Sequence, residues 1–323
     1  MTELMPIPMA HRDTTVGFGK GWYCVAESDE ISADAMKPVT YFDQELIVFR
    51  DADGKAHVSD AYCPHLGAHL ASSDGCIKDN QIVCPFHRWH FDTASGKCSE
   101  IPYSKSIPPR AKLKYYPTTE MAGMVMMWWS ETGEEPGSLP FDTMAMHADK
   151  TWLKSHVEEI ETRVPLRDLP ENIFDTAHIQ QLHNSGDMPD IADIRRKEPG
   201  LEVDFDAFDG DLVKIDFMQF HFSGLGTVAQ TVYGPNFGFM QVNSNTPIDK
   251  ERSRLKIRMF VMDTGNQEMN DMVGKALADR TMMEIGQDLK VLDYKKHLAE
   301  PLICAGDGPI MRWREYAREL YAA

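Results

Sequence analysis

The chain has 323 residues, of which 42% are hydrophobic and 26% charged, so its composition is that of a folded protein with room for two domains. Disordered, collagen-like and repeat architectures are poor fits to these values. Its 50 acidic and 33 basic residues give a net charge of −17. This charge argues against a nucleic-acid-binding surface, because such a surface neutralises phosphates with lysine and arginine.

The N-terminus and the apolar runs predict a soluble, cytoplasmic protein. The segment Met1–Pro6 has no basic region followed by an apolar core, so we expect no signal peptide. The longest nearly apolar run, Met121–Trp129, is about half as long as a transmembrane helix must be, so we expect no membrane span.

The N-terminal part of the chain, residues 20–135, predicts an all-β domain. The apolar run Glu45–Arg50 and the segment Ala56–Ser59 flank the pair Asp53-Gly54. This is a hairpin signal, because Asp-Gly supplies the positive φ angles of a tight turn. Met124–Trp129 predicts a further strand, and the residues from Pro136 to about Lys150 predict a linker.

Residues 150–323 predict a second domain of the α+β class. After a strand at 152–164 and a helix over Pro170–His183, alternating and apolar runs predict five strands at about 201–206, 212–223, 226–234, 237–246 and 252–263. Apolar residues at helical spacing predict a long helix from Gln267 to Leu298. We expect a helix-grip arrangement, in which this C-terminal helix lies across a curved antiparallel sheet.

Four of the six cysteines fall within 36 positions, which in a cytosolic chain predicts metal binding rather than disulfide bonds. Cys63-Pro-His65 and, eighteen residues later, Cys84-Pro-Phe-His87 form two ligand pairs on loops between strands. Two thiolates and two imidazoles suit either a tetrahedral zinc ion or a 2Fe–2S cluster with one donor type on each iron. We interpret the other four thiols as buried and structural, and they are those of Cys24, Cys76, Cys98 and Cys304. We interpret His69 and His90 as groups that hydrogen-bond within the loops.

The two loops resemble those of the Rieske family. The resemblance implies a 2Fe–2S cluster held by four residues, Cys63, His65, Cys84 and His87. Rieske proteins of respiratory complexes carry an additional cysteine in each loop, where this chain has Ala68 and Phe86, so that form is excluded.

A second constellation reads Asp175-x-x-His178-x-x-x-x-His183. Two histidines and a carboxylate are what a non-haem Fe(II) oxygenase presents to its metal. On an ideal helix Asp175 and His178 are about 60° apart, whereas His178 and His183 are about 140° apart. Both imidazoles reach one metal only if the helix ends, kinks or bulges there. The alternative is a pair of solvated helix histidines.

The motif, preceded by Glu171-Asn172, is similar to the catalytic motif of Rieske non-haem iron oxygenases. The resemblance implies that His178 and His183 bind a mononuclear Fe(II) ion with an acidic residue of the long helix. The candidates are Asp279, Glu284, Asp288 and Asp293. We choose Asp288, because Gln287-Asp288-Leu289 resembles the Gln-Asp pair of the family.

The resemblance also implies a quaternary structure. In the family the position of Asp175 bridges the two metal centres of neighbouring subunits in a head-to-tail homotrimer. Asp175 is therefore expected to join His178 to His87 of the adjacent subunit, with Asn172 as a supporting or helix-capping residue.

The implied activity is monooxygenation or a related O2-dependent oxidation. The chain has no Gly-rich dinucleotide motif, so a separate NAD(P)H-dependent flavin/iron–sulfur reductase or a ferredoxin is expected to supply electrons. A locally basic stretch beside the second loop predicts a docking surface for an acidic partner. Its residues are Arg88, Lys97, Lys105, Arg110, Lys112 and Lys114.

Over nearly its whole length the chain is similar to the 3-ketosteroid 9α-hydroxylase oxygenase group, notably at Gln287-Asp288 and Gly306–Arg314. This implies an apolar polycyclic, steroid-like substrate. Strand residues predicted to line its pocket are Phe217, Phe220, Phe222, Tyr233, Phe237, Phe239 and Met240.

Three other functions stay open at this stage. One is an oxygenase or O-demethylase for a small aromatic acid, which needs a buried cation; the strand candidates are Arg254, Lys256 and Arg258. Another is a Rieske electron carrier without a second metal. The third is a structural zinc protein.

Overall fold

The computed structural model describes residues 17–184, 189–209, 214–304 and 306–321. The chain divides into two compact units. The N-terminal unit is Trp22–Pro136, and the C-terminal unit comprises Gly137–Ala323 together with the described residues 17–21.

The N-terminal unit is built from strands, as predicted. They form three small sheets with the strand orders β1-β11-β10, β2-β3-β4-β9 and β5-β6-β7-β8. The strands are β1 (Gly21–Glu27), β2 (Lys37–Tyr41), β3 (Gln44–Arg50), β4 (Ala56–Asp60), β5 (Cys76–Lys78), β6 (Gln81–Val83), β7 (His90–Asp92), β8 (Cys98–Glu100), β9 (Tyr115–Tyr116), β10 (Thr118–Met121) and β11 (Met124–Trp129). A single 3₁₀ turn, Ser28–Glu30, follows β1.

The predicted hairpin is β3 and β4, paired antiparallel. Its turn differs in detail from the expectation, because Gly54 has a positive φ of +80° and Asp53 does not. The carboxylate of Asp51 holds the turn instead, by accepting hydrogen bonds from the backbone N–H groups of Asp53 and Lys55, both at 3.0 Å.

The C-terminal unit contains the predicted antiparallel sheet. Its seven strands have the order β12-β20-β19-β18-β17-β14-β13, with β15 and β16 as a separate pair. The strands are β12 (Trp152–Thr162), β13 (Ile191–Lys197), β14 (Gly200–Phe205), β15 (Phe208–Asp209), β16 (Lys214–Ile215), β17 (Phe217–Ser223), β18 (Thr227–Gly234), β19 (Phe237–Pro247) and β20 (Ser253–Met262). The helices are α1 (Thr143–Met146), α2 (Asp168–Phe174), α3 (Thr176–Gln181), α4 (Gln267–Leu292) and α5 (Ile310–Tyr321).

The long helix α4 packs across β12 and β20, which confirms the helix-grip class. Its start is fixed by Asn266, whose side-chain oxygen accepts a hydrogen bond from the backbone N–H of Met269. The helix ends at Leu292, six residues before the predicted end at Leu298.

Three further predictions need correction. The helix expected over residues 170–183 is two helices, because Asp175 leaves the helical region with φ −93° and ψ +76°. Strand β13 and helix α5 were not predicted. Of the strand predicted at 212–223, residues 212 and 213 lie outside the described residues, and the rest is interrupted at Asp216 between β16 and β17.

Candidate functional site

The two loops that carry the Cys-His pairs have the same backbone fold. In each, the N–H of the cysteine donates to the carbonyl five residues later, and the residue four positions on donates back to the cysteine carbonyl. That fourth residue is Gly67 in the first loop and Arg88 in the second, and both have a positive φ, +74° and +56°. The two loops are therefore matching turns that place a cysteine at the same position of each.

The four side chains of these loops lie together. The thiols of Cys63 and Cys84 are buried and hydrogen-bonded to each other, and burial raises the pKa of Cys63 to about 12. The imidazole rings of His65 and His87 are 4.7 Å apart between centroids. Trp89 stacks on His65 at 4.5 Å with an interplanar angle of 10°, which fixes the orientation of that ring.

The donor set fits a Rieske cluster. The loops supply one pair of adjacent thiols and one pair of adjacent imidazoles, the donors that one thiolate-bound and one imidazole-bound iron require. Within the described ranges, Nδ1 of His87 is buried and has no hydrogen-bond partner, which suits a ligand atom.

The remaining cysteines and histidines give a mixed result. Cys24 and Cys98 are buried, as predicted, but Cys76 and Cys304 are exposed, so that prediction is wrong for these two. Both lie at the surface where neighbouring apolar residues do not cover them. His69 and His90 hydrogen-bond locally, as expected: Nδ1 of His69 accepts from the backbone of Ala71, and Nδ1 of His90 contacts Oε1 of Gln81.

A second cluster lies in the C-terminal unit, where His178, His183 and Asp288 each offer one ligand atom within 4.8 Å of the others. Oδ1 of Asp288 is 3.3 Å from Nε2 of His183 and 3.8 Å from Nε2 of His178. This oxygen is buried and, in the described part of the chain, makes no hydrogen bond. Two imidazole nitrogens converging on one buried carboxylate oxygen are a donor set that fits a mononuclear iron.

The chain brings the two histidines together by ending a helix between them. Helix α3 carries His178 and stops at Gln181, so His183 follows in non-helical backbone. The two rings are 5.0 Å apart between centroids, at 76°. The five-residue spacing is therefore accommodated by a helix end.

Each histidine also has an oxygen at its other ring nitrogen. Nδ1 of His178 donates to the backbone carbonyl of Asp175, and Nδ1 of His183 donates to Oε1 of Gln287 at 2.8 Å. Oxygen acceptors at Nδ1 favour the tautomer whose Nε2 lone pair is free for a metal. No role was predicted for the side chain of Gln287 from the sequence. The Gln287-Asp288 pair, which served only to choose Asp288, was the signal that could have indicated one.

Asp288 and Asp175 have different surroundings. Burial raises the pKa of the Asp288 carboxyl, and the nearby histidines and a hydrogen bond from Asn172 act against this rise. Burial also raises the pKa of the half-buried Asp175. Asn172 lies within α2, so it contacts the acid and does not cap the helix.

Within the described structure, the other candidate acids of α4 are not part of this ligand cluster. Asp279 is exposed and accepts from Lys275 at 2.6 Å, and Glu284 is paired with Arg280. Asp293 follows the last residue of the helix. Among the described residues, Asp288 is the acid that meets both histidines.

A cavity of about 350 Å³ opens onto this cluster. It is bounded by helix α4, by the segment from Leu169 to His183 and by the face of the sheet formed by β17, β18 and β19. Most of its wall is apolar, as in small-molecule sites. Its volume lies in the range of about 300–1,000 Å³ that such sites occupy.

The predicted lining is partly right. Three of the seven residues line the cavity, namely Phe220, Phe237 and Phe239. The other four do not, and they are Phe217, Phe222, Tyr233 and Met240. Neighbouring strand residues point to opposite faces, which takes Met240 away from the cavity, while Phe222 packs on Phe174 and Trp313.

The cations proposed for a small aromatic acid are not in this cavity. Arg254 and Lys256 form ion pairs with Glu159 at 3.1 and 3.2 Å. Arg258 is buried with Nη1 3.4 Å from Oγ of Ser244. The polar residues that do line the wall were not predicted to do so from the sequence, although Glu284 was named there as a candidate metal ligand. They are Gln230, Gln241, Asn243, Arg280, Thr281 and Glu284.

The six residues of the basic stretch are all exposed. Among the helices in the described ranges, none is long and apolar enough to cross a membrane.

Comparison with known proteins gives matches over both units. A Rieske [2Fe-2S] domain matches residues 21–117, and the 3-ketosteroid 9α-hydroxylase C-terminal domain matches residues 127–321, more than half of the chain. A probable 3-ketosteroid-9-alpha-monooxygenase oxygenase component from Rhodococcus rhodochrous is 27% identical over 94% of this chain and 80% of its own length. The cholesterol 7-desaturase of Caenorhabditis elegans is 27% identical over 94% of this chain and 77% of its own length.

A solved structure supports the same fold. NdmA of Pseudomonas putida CBB5 with caffeine superposes with a TM-score of 0.76 at 18% identity, covering 94% of this chain and 90% of that one. The Rieske domain indicates a 2Fe–2S cluster in this chain. The chain therefore belongs to the Rieske non-haem iron monooxygenases whose catalytic domain is of the 3-ketosteroid 9α-hydroxylase type.

Proposed function

We propose that this monooxygenase carries out an O2-dependent hydroxylation, or a related oxidation, of a steroid-like polycyclic substrate. The observation that carries the proposal is the largely apolar cavity of about 350 Å³ whose wall includes His178, His183 and Asp288. A rigid polycycle suits such a wall, because its binding free energy comes from burying apolar surface. The names of the relatives, a ketosteroid monooxygenase and a cholesterol desaturase, support the same substrate class.

The chain's own residues divide into two ligand sets. In the proposal the 2Fe–2S cluster is held by Cys63, His65, Cys84 and His87, and a mononuclear Fe(II) by His178, His183 and Asp288. When bound, these groups supply single-electron transfer and dioxygen activation. Gln287 holds the ring of His183 in one orientation, and the largely apolar wall binds the substrate beside the three ligand residues.

The polycyclic substrate is preferred over a small aromatic acid for an electrostatic reason. A carboxylate brought into this cavity needs a cation, and Arg280 is the arginine or lysine that lines it among the described residues. Arg280 is already paired with Glu284, one turn later on α4. A bound carboxylate would therefore meet a neutralised cation and a neighbouring acid.

The assembly and the domain bounds are part of the same proposal. We propose a Rieske domain at 20–135, a catalytic domain at 150–323, and a cytoplasmic homotrimer in which Asp175 bridges His178 to His87 of the neighbouring subunit. The half-buried position of Asp175, directly before α3 and next to His178, supports this role.

The electron donor is proposed to be a separate NAD(P)H-dependent flavin/iron–sulfur reductase or a ferredoxin. The exposed basic stretch of the N-terminal unit, which includes Arg88, Lys112 and Lys114, supports docking of an acidic protein. Such a surface raises the rate of encounter more than the final affinity.

The test combines metal analysis with turnover. The purified enzyme is expected to hold three irons per chain, and Asp288→Ala two, because the variant loses one ligand of the mononuclear site. With a surrogate reductase, NADH and a panel of ketosteroids and sterols, the product is expected to be one oxygen atom heavier, or two hydrogen atoms lighter for a desaturation. Turnover of small aromatic acids with no steroid turned over would overturn the proposed substrate class.

A further inference from the structure

A second cavity, of about 230 Å³, lies on the other side of α2 from the cavity at the metal cluster. Helix α2 contributes Leu169, Asn172 and Ile173 to the first cavity. Its residue Glu171 lines the second, together with Arg167 immediately before the helix. At about 100° per residue these two sets lie on opposite faces of the helix. The other walls are the segment after α4 and helix α5, and the two cavities share no lining residue among those described, so the second is a separate site.

The wall of this second cavity has an excess of positive charge. Its acid Glu171 accepts hydrogen bonds from two cationic side chains. The neighbouring acid, Asp168, is fully buried, with Oδ1 3.8 Å from Nε of Arg167 and 3.3 Å from Nδ1 of His297. These two acids face four cationic side chains at or next to the wall, namely Arg167, Lys295, Arg314 and Arg318. In a chain whose net charge is −17, this local excess favours an anion in the cavity.

Two of these guanidinium groups have unused hydrogen-bond donors. All three nitrogens of Arg314 are occupied, by the carboxylate of Glu171 and the carbonyl oxygen of Leu298. Arg318 is exposed and makes no hydrogen bond or ion pair with any residue that the structure describes. The side chain of Arg167 is 19% exposed; its Nε is buried, and its two terminal nitrogens make no hydrogen bond to a described residue. Free donors therefore stand on two walls of the cavity, at the start of α2 and on α5.

The rest of the accessible wall is mostly apolar, and it includes Ala299, Ala317 and Tyr321. An inorganic ion would leave this apolar surface in contact with water, whereas an organic anion covers it and gains the free energy of its burial. The volume is more than ten times the about 10–15 Å³ that one water molecule needs. Charge, lining and volume together therefore fit an anion that carries an apolar group.

We propose that this second cavity binds a small organic anion, whose carboxylate or phosphate accepts hydrogen bonds from Arg167 and Arg318. The planar guanidinium group matches the oxygens of either anion, and hydrogen bonds between charged groups are roughly twice as strong as neutral ones. The bound anion joins the start of α2 to α5 and so stabilises the catalytic unit. The site is distinct from the iron site, and the proposal does not depend on the substrate class proposed above.

The experiment measures binding to the purified holoenzyme by titration calorimetry at constant ionic strength. The probes are phenylacetate, acetate, inorganic phosphate and phenylacetamide, a neutral molecule of nearly the same shape as phenylacetate. We expect phenylacetate to bind at one site of this kind per chain, about 10-fold more tightly than acetate because its ring buries apolar surface. Phosphate should bind more weakly than phenylacetate, and phenylacetamide should show no binding at millimolar concentrations.

The variants Arg318→Gln and Arg167→Gln are each expected to weaken phenylacetate binding about 10- to 150-fold, the effect of losing one charged hydrogen-bonding partner. Because Arg318 is exposed, Arg318→Gln should fold normally, and its melting temperature without ligand should equal that of the wild type. The matched control is Arg312→Gln, which removes an exposed arginine of the same helix that does not line the cavity, and it should bind phenylacetate as the wild type does.

Each outcome decides for or against the proposal. Binding that is lost in Arg318→Gln and kept in Arg312→Gln supports it. Phenylacetate affinity that is unchanged in both Arg318→Gln and Arg167→Gln means that the ligand sits elsewhere, such as in the cavity at the metal cluster, and overturns the site. Equal binding of phenylacetamide overturns recognition by charge, and binding of phosphate without phenylacetate overturns the organic anion. If no probe binds the wild type at millimolar concentrations, the proposal as a whole is wrong.

Discussion

Glu171 links α2 to α5 through a buried ion pair, and its removal is a quantitative test of how the catalytic unit is held together. The side chain is 3% exposed and accepts hydrogen bonds from Nε and Nη2 of Arg314, at 2.6 and 3.0 Å, and from Nζ of Lys295 at 2.8 Å. The variant Glu171→Gln keeps the size of the side chain but leaves Arg314, whose side chain is 9% exposed, without its counter-charge.

The expected loss is large because both members of the pair are buried. Removing one partner of a buried pair costs about 3–5 kcal/mol, since the remaining charge is desolvated and unpaired. At about 2–4 °C per kcal/mol for a unit of this size, the melting temperature should fall by about 6–20 °C. The matched control is Glu319→Gln, because Glu319 also faces an arginine, Arg196, but both side chains are 56% exposed. The control should cost at most about 1 kcal/mol.

The assay is scanning calorimetry of wild type and both variants at one scan rate, near neutral pH and in acid. Burial alone raises the pKa of Glu171, but the hydrogen bonds from Arg314 and Lys295 bring it below its ordinary value of 4.5. The stabilisation is therefore fully present above pH 4.5 and is lost as the pH falls through the lowered native pKa. A Glu171→Gln variant that melts together with Glu319→Gln at neutral pH would refute the reasoning.

Three other predictions concern the metal centres and the electron donor. Gln287→Leu removes the acceptor from Nδ1 of His183 and should weaken iron binding about 10- to 100-fold in a chelator competition, with the cluster spectrum unchanged; equal retention of iron would contradict the positioning role. Asp175→Ala should keep both metals, measured by iron analysis, yet lose most coupled turnover, and a fully active variant would reject the bridge. Charge reversal at Lys112 and Lys114 should slow stopped-flow reduction by the reductase at low salt and converge with wild type at high salt, because surface steering is screened; rates that match wild type at low salt would exclude this docking surface.

The local features of the fold could be predicted well from the sequence. The hairpin around Gly54 and the strand Met124–Trp129 depend on turn chemistry and apolar runs, which are short-range properties. The fold class followed from the order of such elements. The pairing of His178 and His183 with Asp288, more than a hundred positions away, needed the family resemblance, because no periodicity connects them.

What the sequence did not reveal depends on contacts between distant segments. Helix α5 was missed, although its Trp313 is fully buried, because its partners lie on α2 and β17. The pairing of Glu171 with Arg314 spans a similar distance along the chain.

Because the two cysteine loops have matching turns, the effects of backbone strain and of surface charge can be separated at one residue, Arg88. Arg88 adopts the left-handed conformation that Gly67 adopts in the other loop, and for an L-residue with a Cβ this costs roughly 1 kcal/mol. Arg88→Gly removes the strain and the charge together, whereas Arg88→Gln removes the charge and keeps the strained backbone. Both variants lose the contacts of the guanidinium group with Asp74. A higher melting temperature of the glycine variant, with the same slowed reduction in both variants, would show that the arginine is kept at a cost in stability for its encounter with the electron donor.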